Sequence, residues 1–217
     1  MTAWRREAAA LAQQGYLIAR SKLSRRSRLV LSERGVVVFV HGFLAAGPVF
    51  DPLSKQVRAA GFGALDLTYG PFRDFESVAS ELKALIDDEV PAGIPVTLVG
   101  HSLGGLLARW YLQVLGGDAA RLITMATPHA GTLAGRGFPS ALVTALRPGS
   151  RILRRLGTSA GDVPHVAIFG EGDTVVSLES AGVLEDAEVR TFPRVGHNEL
   201  LYDEAVQREV LRILTAR

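Results

Sequence analysis

One stretch constrains the fold of this chain more than any other, and it is Val96–Leu107, which reads VTLVGHSLGGLL. Apolar and β-branched residues lead into Gly100, Ser102 and Gly104, and apolar residues at helical spacing follow. The pattern predicts a buried strand, a very tight turn with Ser102 at its tip, and a helix that begins directly beneath the serine. Glycine suits positions 100 and 104 because a side chain there would collide with neighbouring backbone.

The serine at the tip of this turn has two interpretations. In the first, Ser102 only caps the helix of an ordinary strand-to-helix turn. In the second, it is a nucleophile, and the free N–H groups and positive dipole end of the helix face the oxyanion that forms during acyl transfer. The second interpretation is favoured because an apolar strand and an amphipathic helix both flank the G-x-S-x-G pattern.

Short apolar strands and amphipathic helices alternate along the rest of the chain. The predicted strands are Val36–Val40, Phe62–Leu67, Val96–Val99, Leu122–Ala126, Val166–Phe169 and Ala187–Phe192. The predicted helices between and after them are Pro52–Ala60, Phe75–Glu89, Leu103–Leu115 and Glu204–Leu214. Uninterrupted apolar strands are typical of parallel sheets that are buried on both faces. We therefore expect an α/β fold with about six mostly parallel strands, helices on both faces, and a site at the carboxyl ends of the strands.

The 217 residues are divided most simply into a basic N-terminal segment, residues 1–34, and one catalytic domain, residues 35–217. Although the net charge is only +2, residues 1–34 hold eight Lys or Arg and two acids. Trp4, Ala8, Leu11 and Gly15 would share one face of a short amphipathic helix. The segment is interpreted either as a solvated basic arm that packs loosely on the domain or as a contact with an anionic lipid surface.

No strand is predicted between Met125 and His165. Residues 135–160 of this interval contain five arginines, no acid and several leucines. Long insertions in compact domains are commonly lids, so residues 135–160 are predicted to form a cap over the site. An ordinary crossover helix with a long loop is the alternative.

A serine hydroxyl is nearly inert at neutral pH and needs an imidazole base, usually with a carboxylate behind it. Of the five histidines, His197 lies in a loop after the last strand, from which its ring can reach Ser102. Asp173 follows the fifth strand in a glycine-rich turn at the same edge of the sheet, and Glu171 and Asp186 are weaker candidates. The sequence therefore predicts Ser102 as nucleophile, His197 as base and Asp173 as the acid that orients the base.

Two backbone N–H groups are expected to bind the oxyanion. One belongs to Leu103, directly after the nucleophile, and the other to Phe43, in the loop after the first strand. Within that loop, we expect Gly42 to permit the turn and His41 to brace it without transferring protons.

Five segments together resemble the α/β-hydrolase superfamily, in particular its bacterial lipases and esterases. They are His41-Gly42-Phe43, Gly100–Gly105, Ala126–Thr132, Gly172–Ser177 and Gly196-His197. The segment Thr-Pro-His-Ala-Gly-Thr is similar to the Pro-His-x-Gly-Thr of triacylglycerol lipases. The order serine, aspartate, histidine along the chain is also the order of this superfamily.

The resemblance implies a carboxylic-ester hydrolase that works through an acyl-serine intermediate on a small-molecule or lipid ester. A thioesterase, an amidase or an acyltransferase would use the same triad, and a perhydrolase or a non-catalytic lipid-surface binding protein are further alternatives. No cofactor is expected. Several lipases of this branch bind calcium through aspartates, but the acids of this chain do not match that site, so no metal is predicted.

The composition excludes or leaves open some further properties. The chain has no cysteine, so disulfides and thiolate metal sites are excluded. No helix reads as a nucleic-acid recognition helix, and no nucleic-acid partner is expected. A signal peptide is not recognisable, which favours a cytoplasmic or membrane-associated protein over a secreted one.

Overall fold

The structure is a computed structural model that describes residues 2–21, 32–181 and 184–216. Its centre is a six-stranded sheet in which every neighbouring pair is parallel, in the order β2-β1-β3-β4-β5-β6. The strands are β1 (Val36–Val40), β2 (Gly63–Leu67), β3 (Val96–His101), β4 (Arg121–Met125), β5 (His165–Gly170) and β6 (Ala187–Phe192). The predicted fold class is therefore confirmed, and all six strands lie within two residues of their expected bounds.

Helices cover both faces of the sheet. In chain order they are α1 (Ala3–Ser21), α2 (Asp51–Ala59), α3 (Phe75–Glu89), α4 (Leu103–Gln113), α5 (Ala141–Ala145), α6 (Arg151–Leu156), α7 (Leu178–Ala181) and α8 (Glu204–Thr215). Apolar residues of α3 to α6 form one core with one face of the sheet, while α2 and α8 form a second core with the other face. The sheet is thus buried on both sides, as its continuous apolar strands require.

The order of the strands determines where a site can form. The chain runs from β1 to β2 on one side of β1 and then returns to β3 on the other side, so a crevice opens between the carboxyl ends of β1 and β3. Val40 at the end of β1 is in register with Gly100 of β3. The loop that contains Phe43 and the turn that contains Ser102 therefore lie side by side.

Helix α1 packs with a different face from the one that its apolar residues indicate. Ala10, Gln14 and Leu17 are buried, whereas Trp4 is 68% exposed and Leu11 51% exposed. The helix contacts the 3-10 helices Gly47–Phe50 and Glu199–Leu201. Polar side chains on the inner face of α1 take part in this contact. A hydropathy pattern does not identify them, because it counts polar residues as exposed. Four of the eight basic residues of the predicted arm fall in 22–31, outside the described residues.

Residues 135–160 are attached closely to the body of the protein. Leu142, Leu146 and Leu153 are buried in the same apolar core as α3 and α4. The guanidinium of Arg109 in α4 also donates hydrogen bonds to the backbone carbonyls of residues 156, 157 and 159. Helices α5 and α6 are therefore part of the helical layer, and Phe138, in the non-helical segment before α5, contacts Phe43 in the loop after β1.

No helix within the described ranges has both the length and the hydropathy needed to span a bilayer.

Candidate active site

Ser102 lies at the tip of a strained turn between β3 and α4. Its backbone has φ 53° and ψ −120°, a conformation that residues other than glycine rarely adopt. A Cβ added at position 100 would lie 2.5 Å from the Cα of Gly105, and one at position 104 only 1.9 Å from the carbonyl oxygen of Val40. These contacts account for both glycines of the motif. The Ser102 side chain makes no capping hydrogen bond to α4, which argues against the capping interpretation.

The two N–H groups expected to bind an oxyanion lie on either side of this serine. The loop after β1 passes directly against Ser102, because a Cβ added to Gly42 would lie 3.1 Å from the Ser102 Cβ. In the part of the chain that the structure describes, neither the N–H of Phe43 nor that of Leu103 donates a hydrogen bond to the protein. An oxyanion hole requires N–H donors that are not already used by the protein, and both groups meet this requirement.

His197 is paired with a buried carboxylate. Its Nδ1 lies 2.8 Å from Asp173 Oδ2, and the Asp173 and His197 side chains are 1% and 8% exposed. The other oxygen, Asp173 Oδ1, accepts hydrogen bonds from the N–H groups of Val175 and Val176, each at 2.8 Å. A carboxylate oxygen accepts a hydrogen bond, so His197 Nδ1 is the donor to Asp173 Oδ2.

The two alternative acids lie elsewhere. Asp186 directly precedes β6, so it lies at the amino ends of the strands and not at the carboxyl ends. There it accepts hydrogen bonds from the Ser159 hydroxyl and the Ala160 N–H. Glu171 is exposed, and its backbone N–H donates to Phe192. Of the three candidate acids, the structure therefore brings only Asp173 to His197.

His101 links the histidine loop to the turn that contains the serine. Its ring centroid is 4.8 Å from that of His197, and its Nε2 lies 3.0 Å from the His197 carbonyl oxygen. Burial lowers the pKa of His101 to about 3, so its ring is neutral and its Nε2 donates to that carbonyl. Among the described residues, no hydrogen bond joins the Ser102 hydroxyl to His197. Such bonds are often absent without substrate and form in the substrate complex.

His41 is held in the turn after β1. Its Nδ1 lies 2.7 Å from the Gly42 carbonyl oxygen, its Nε2 accepts the Tyr69 N–H at 3.2 Å, and its ring stacks on the Tyr69 ring at 4.1 Å. Burial lowers the pKa of His41 to about 4, so the ring is neutral at physiological pH. Both ring nitrogens are therefore hydrogen-bonded, one to Gly42 within the turn and one to Tyr69 after β2.

A second buried polar network lies behind this site, and sequence reasoning did not identify it. Arg109 of α4 lies 3.3 Å from His129 Nδ1, and Thr124 Oγ1 lies 3.2 Å from His129 Nε2 and 2.8 Å from His165 Nε2. An arginine can only donate, so His129 accepts at Nδ1 and carries its proton on Nε2. The only sequence signal for this network is the Pro-His pair of the lipase-like segment.

The network holds one charge and two neutral imidazoles. Burial lowers the pKa of Arg109 to about 10, which leaves the guanidinium charged. Burial and the neighbouring guanidinium lower the pKa of His129, and the same two causes lower that of His165 to about 4. These rings stay uncharged at neutral pH.

Within the described residues, no group of three or more His, Asp or Glu is arranged to hold a metal ion.

Comparisons with known proteins agree with this architecture. The family model described as Thioesterase domain matches residues 36–114. A monoacylglycerol lipase from Paleococcus ferrophilus superposes with a TM-score of 0.65 at 17% identity, covering 87% of this chain and 98% of that one. An esterase from Exiguobacterium antarcticum gives 0.69 at 18% identity, covering 84% and 92%, and a bromoperoxidase from Bacillus anthracis gives 0.68 at 16%, covering 83% and 91%. No curated protein sequence matches the chain.

The chain therefore has the α/β-hydrolase fold, and the resemblance to this superfamily that its motifs indicate is confirmed. The similar structures carry different activities in their descriptions, so the fold alone does not define the reaction.

Proposed function

We propose that this protein is a serine carboxylic-ester hydrolase of the esterase or lipase type. The observation that supports the proposal best is the buried Asp173–His197 hydrogen bond, which lies at the same edge of the sheet as the strained turn of Ser102. Perturbed or paired titratable groups beside a strained serine are typical of a functional site rather than of a packed core.

In the proposed mechanism, Ser102 Oγ attacks the ester carbonyl carbon while His197 Nε2 takes the hydroxyl proton. The carbonyl oxygen becomes an oxyanion, to which the N–H groups of Phe43 and Leu103 donate. As the C–O bond to the alcohol breaks, His197 returns the proton to the leaving alkoxide, and an acyl-serine remains. Water, deprotonated by His197, then attacks the acyl-serine, and the acid is released with Ser102 restored.

Asp173 supports each proton transfer without being protonated itself. Its carboxylate keeps the proton on His197 Nδ1, so Nε2 is the nitrogen that exchanges protons with Ser102. It also stabilises the imidazolium that forms in both steps. The two backbone N–H groups that bind Asp173 Oδ1 fix the carboxylate in place.

Aromatic and aliphatic side chains near the loop after β1 favour an ester with an apolar acyl chain. The Phe138 ring lies 5.2 Å from that of Phe43 and 5.8 Å from that of Phe72. Leu44, in that loop, is 61% exposed. We propose that the segment around Phe138 is the part of the predicted cap that contacts the acyl chain.

Phe138→Ala is a suitable test of this cap. Serine substitutions of the other apolar residues of the predicted cap, Leu142, Leu146 and Leu153, are less suitable. They would remove buried core contacts and destabilise the whole protein. Phe138→Ala should reduce kcat/KM for a palmitate ester about tenfold, because apolar contacts to the chain are lost. Acetate ester hydrolysis should change little, and equal losses on both esters would contradict a role in acyl binding.

The leaving group is a separate question. The match to the thioesterase family model spans β1 to α4, which contains the serine turn and both oxyanion donors. These elements act on the acyl group and are shared by oxoester and thioester hydrolases, so the match does not favour either. Oxoesters are proposed here because several similar structures are described as lipases or esterases.

The experiment is hydrolysis of p-nitrophenyl esters from acetate to palmitate, beside an acyl-CoA thioester and a triacylglycerol, with labelling by a fluorophosphonate. We expect ester hydrolysis and labelling by the wild-type protein, and loss of both in Ser102→Ala, with kcat lower by about a factor of 10⁶. Retention of most esterase activity in purified Ser102→Ala would refute the proposal. A preference for the thioester over every oxoester would support the alternative.

We also propose that the outer face of α1 contacts an anionic lipid surface. Trp4, Leu11 and Tyr16 are 68%, 51% and 61% exposed on this face. The Arg5 guanidinium lies 5.7 Å from the centroid of the Trp4 ring, and that of Arg20 lies 6.0 Å from that of Tyr16. Exposed aromatic rings beside arginines are typical of helices that lie in the plane of a membrane surface.

Flotation with lipid vesicles tests this contact. The wild-type protein should float with vesicles that contain phosphatidylserine, and the double variant Trp4→Ala, Leu11→Ala should float much less. Both substitutions lie on the exposed face, so ester hydrolysis of a soluble substrate serves as the control for folding. Equal flotation of the two proteins would contradict the contact.

A further inference from the structure

The inner face of α1 reaches the loop that carries His197. The Glu7 carboxylate accepts hydrogen bonds from the Asn198 N–H at 3.0 Å, from the Asn198 side-chain amide at 2.6 Å, and from the Glu199 N–H at 3.3 Å. Gln14, which is buried, donates to the Asn198 side-chain oxygen at 2.9 Å. The residue directly after His197 is therefore held by α1 through both its backbone and its side chain.

The same peptide unit is held from its other side. The peptide bond that joins His197 to Asn198 has its N–H on Glu7 and its carbonyl oxygen on His101 Nε2, at 3.0 Å. His101 immediately precedes Ser102. The backbone at His197 is thus fixed between α1 and the serine turn, while its side chain is fixed by Asp173.

A second carboxylate and a glycine complete this arrangement. Glu199 accepts the Gly196 N–H at 3.0 Å and forms an ion pair with Arg6 of α1 at 2.6 Å. A Cβ added to Gly196 would lie 2.6 Å from a Glu7 carboxylate oxygen. Only a glycine before His197 therefore allows the Glu7 carboxylate to approach the loop so closely.

We propose that Glu7 is a positioning residue for His197, and that α1 is a working part of the active site rather than a loosely packed arm. This inference rests on the proposed function. The imidazole must remain within a few tenths of an ångström of its reactive position, and a displacement of about 1 Å can cost about 10²-fold in rate. Glu7 limits that displacement from one side of the peptide, and His101 limits it from the other.

Glu7→Gln tests the proposal in the full-length chain. Glutamine has nearly the same shape, but one carboxylate oxygen becomes an NH₂ group, which would face the donors of Asn198 and Glu199. We expect kcat for a p-nitrophenyl ester to fall between about 10- and 100-fold with a smaller change in KM, because the reactive geometry rather than substrate binding is disturbed. The rate of fluorophosphonate labelling should fall by the same factor.

Further variants separate positioning from stability. Glu89→Gln removes the same charge from an exposed position at the end of α3 and should leave kcat unchanged. At position 101, His101→Leu removes the donor to the His197 carbonyl, whereas His101→Gln keeps an N–H donor in a similar place. His101→Gln should recover most of the kcat that His101→Leu loses, even if both variants have the same melting temperature.

The outcomes are distinguishable. If the wild-type protein neither hydrolyses esters nor reacts with the fluorophosphonate, the proposed function is refuted and this inference with it. If the wild-type protein does both, and Glu7→Gln matches it in kcat and in labelling rate, the proposed function stands and the positioning role is refuted. A lowered melting temperature with unchanged kcat likewise refutes it, because α1 would then contribute stability alone.

Discussion

Two groups of buried histidines in this protein differ in what surrounds them. His197 lies at the carboxyl edge of the sheet, with a buried carboxylate hydrogen-bonded to its Nδ1. His129 and His165 lie deeper, joined through Thr124 and adjacent to the Arg109 guanidinium. The charge of Asp186 raises the pKa values of His165 and Arg109. It acts from a distance, because the carboxylate is hydrogen-bonded to Ser159.

The difference fits the proposed function, in which His197, and not His129 or His165, is the base. A carboxylate stabilises an imidazolium, whereas burial beside a guanidinium destabilises it. The imidazoles of the second network are therefore confined to the neutral form and act as hydrogen-bond links in the core. His129 belongs to the most lipase-like motif of the chain, so membership of a motif does not by itself make a histidine a base.

The largest expected effect comes from removing one histidine of each group. His197→Ala should lower kcat by about a factor of 10⁶, because the serine loses its base. His165→Gln should leave kcat of the folded protein within about threefold, since His165 has no part in the proposed mechanism. Stopped assays on p-nitrophenyl acetate, normalised to folded protein, measure both. A large loss of kcat in folded His165→Gln would break the distinction between the groups.

The two acids make a second test with a smaller effect. Asp173→Asn should lower kcat by about 10⁴, because the amide can donate to Nδ1 and stabilise the wrong tautomer of His197. Asp186→Asn should retain activity, since its carboxylate accepts hydrogen bonds from Ser159 and Ala160, before the amino end of β6 and away from the carboxyl ends where His197 lies. Thermal unfolding of both variants serves as the control. Similar losses of kcat in the two variants would show that the loss of a negative charge, and not the loss of the hydrogen bond to His197, lowers the activity.

The smallest effect concerns stability and pH. The folded-state pKa of His165 is lowered to about 4, while the unfolded chain titrates near the ordinary value of 6.5. Between those values the unfolded state binds the extra proton, so stability falls as the pH drops from 6.5 towards 4. This histidine alone accounts for up to about 1.4 kcal/mol per pH unit. His165→Gln should reduce the slope of the unfolding free energy against pH by that amount. Urea unfolding across this pH range measures the slope.

An unchanged slope in His165→Gln would indicate that this imidazole is charged in the folded protein. Burial beside Arg109 would then not be the feature that distinguishes the two groups of histidines.

The central elements could be predicted from the sequence because their patterns are local. The apolar run of β1 and the helical spacing of α3 specify element type and burial within a few residues. Gly100 and Gly104 could be interpreted in advance because a tight turn excludes side chains regardless of what packs around it. The buried face of α1 could not be predicted in this way, because it is held by Glu7 and Gln14, which hydropathy counts as surface residues.

Sequence alone determined the fold class, the serine turn and the order of the candidate residues, since these depend on periodicity and on steric limits within short segments. Only the tertiary structure decided which acid meets His197, which helix face is buried and which histidines are neutral. Those properties depend on hydrogen bonds and burial between residues that are far apart in the chain. Glu7 and Asn198, 191 positions apart, form such a contact.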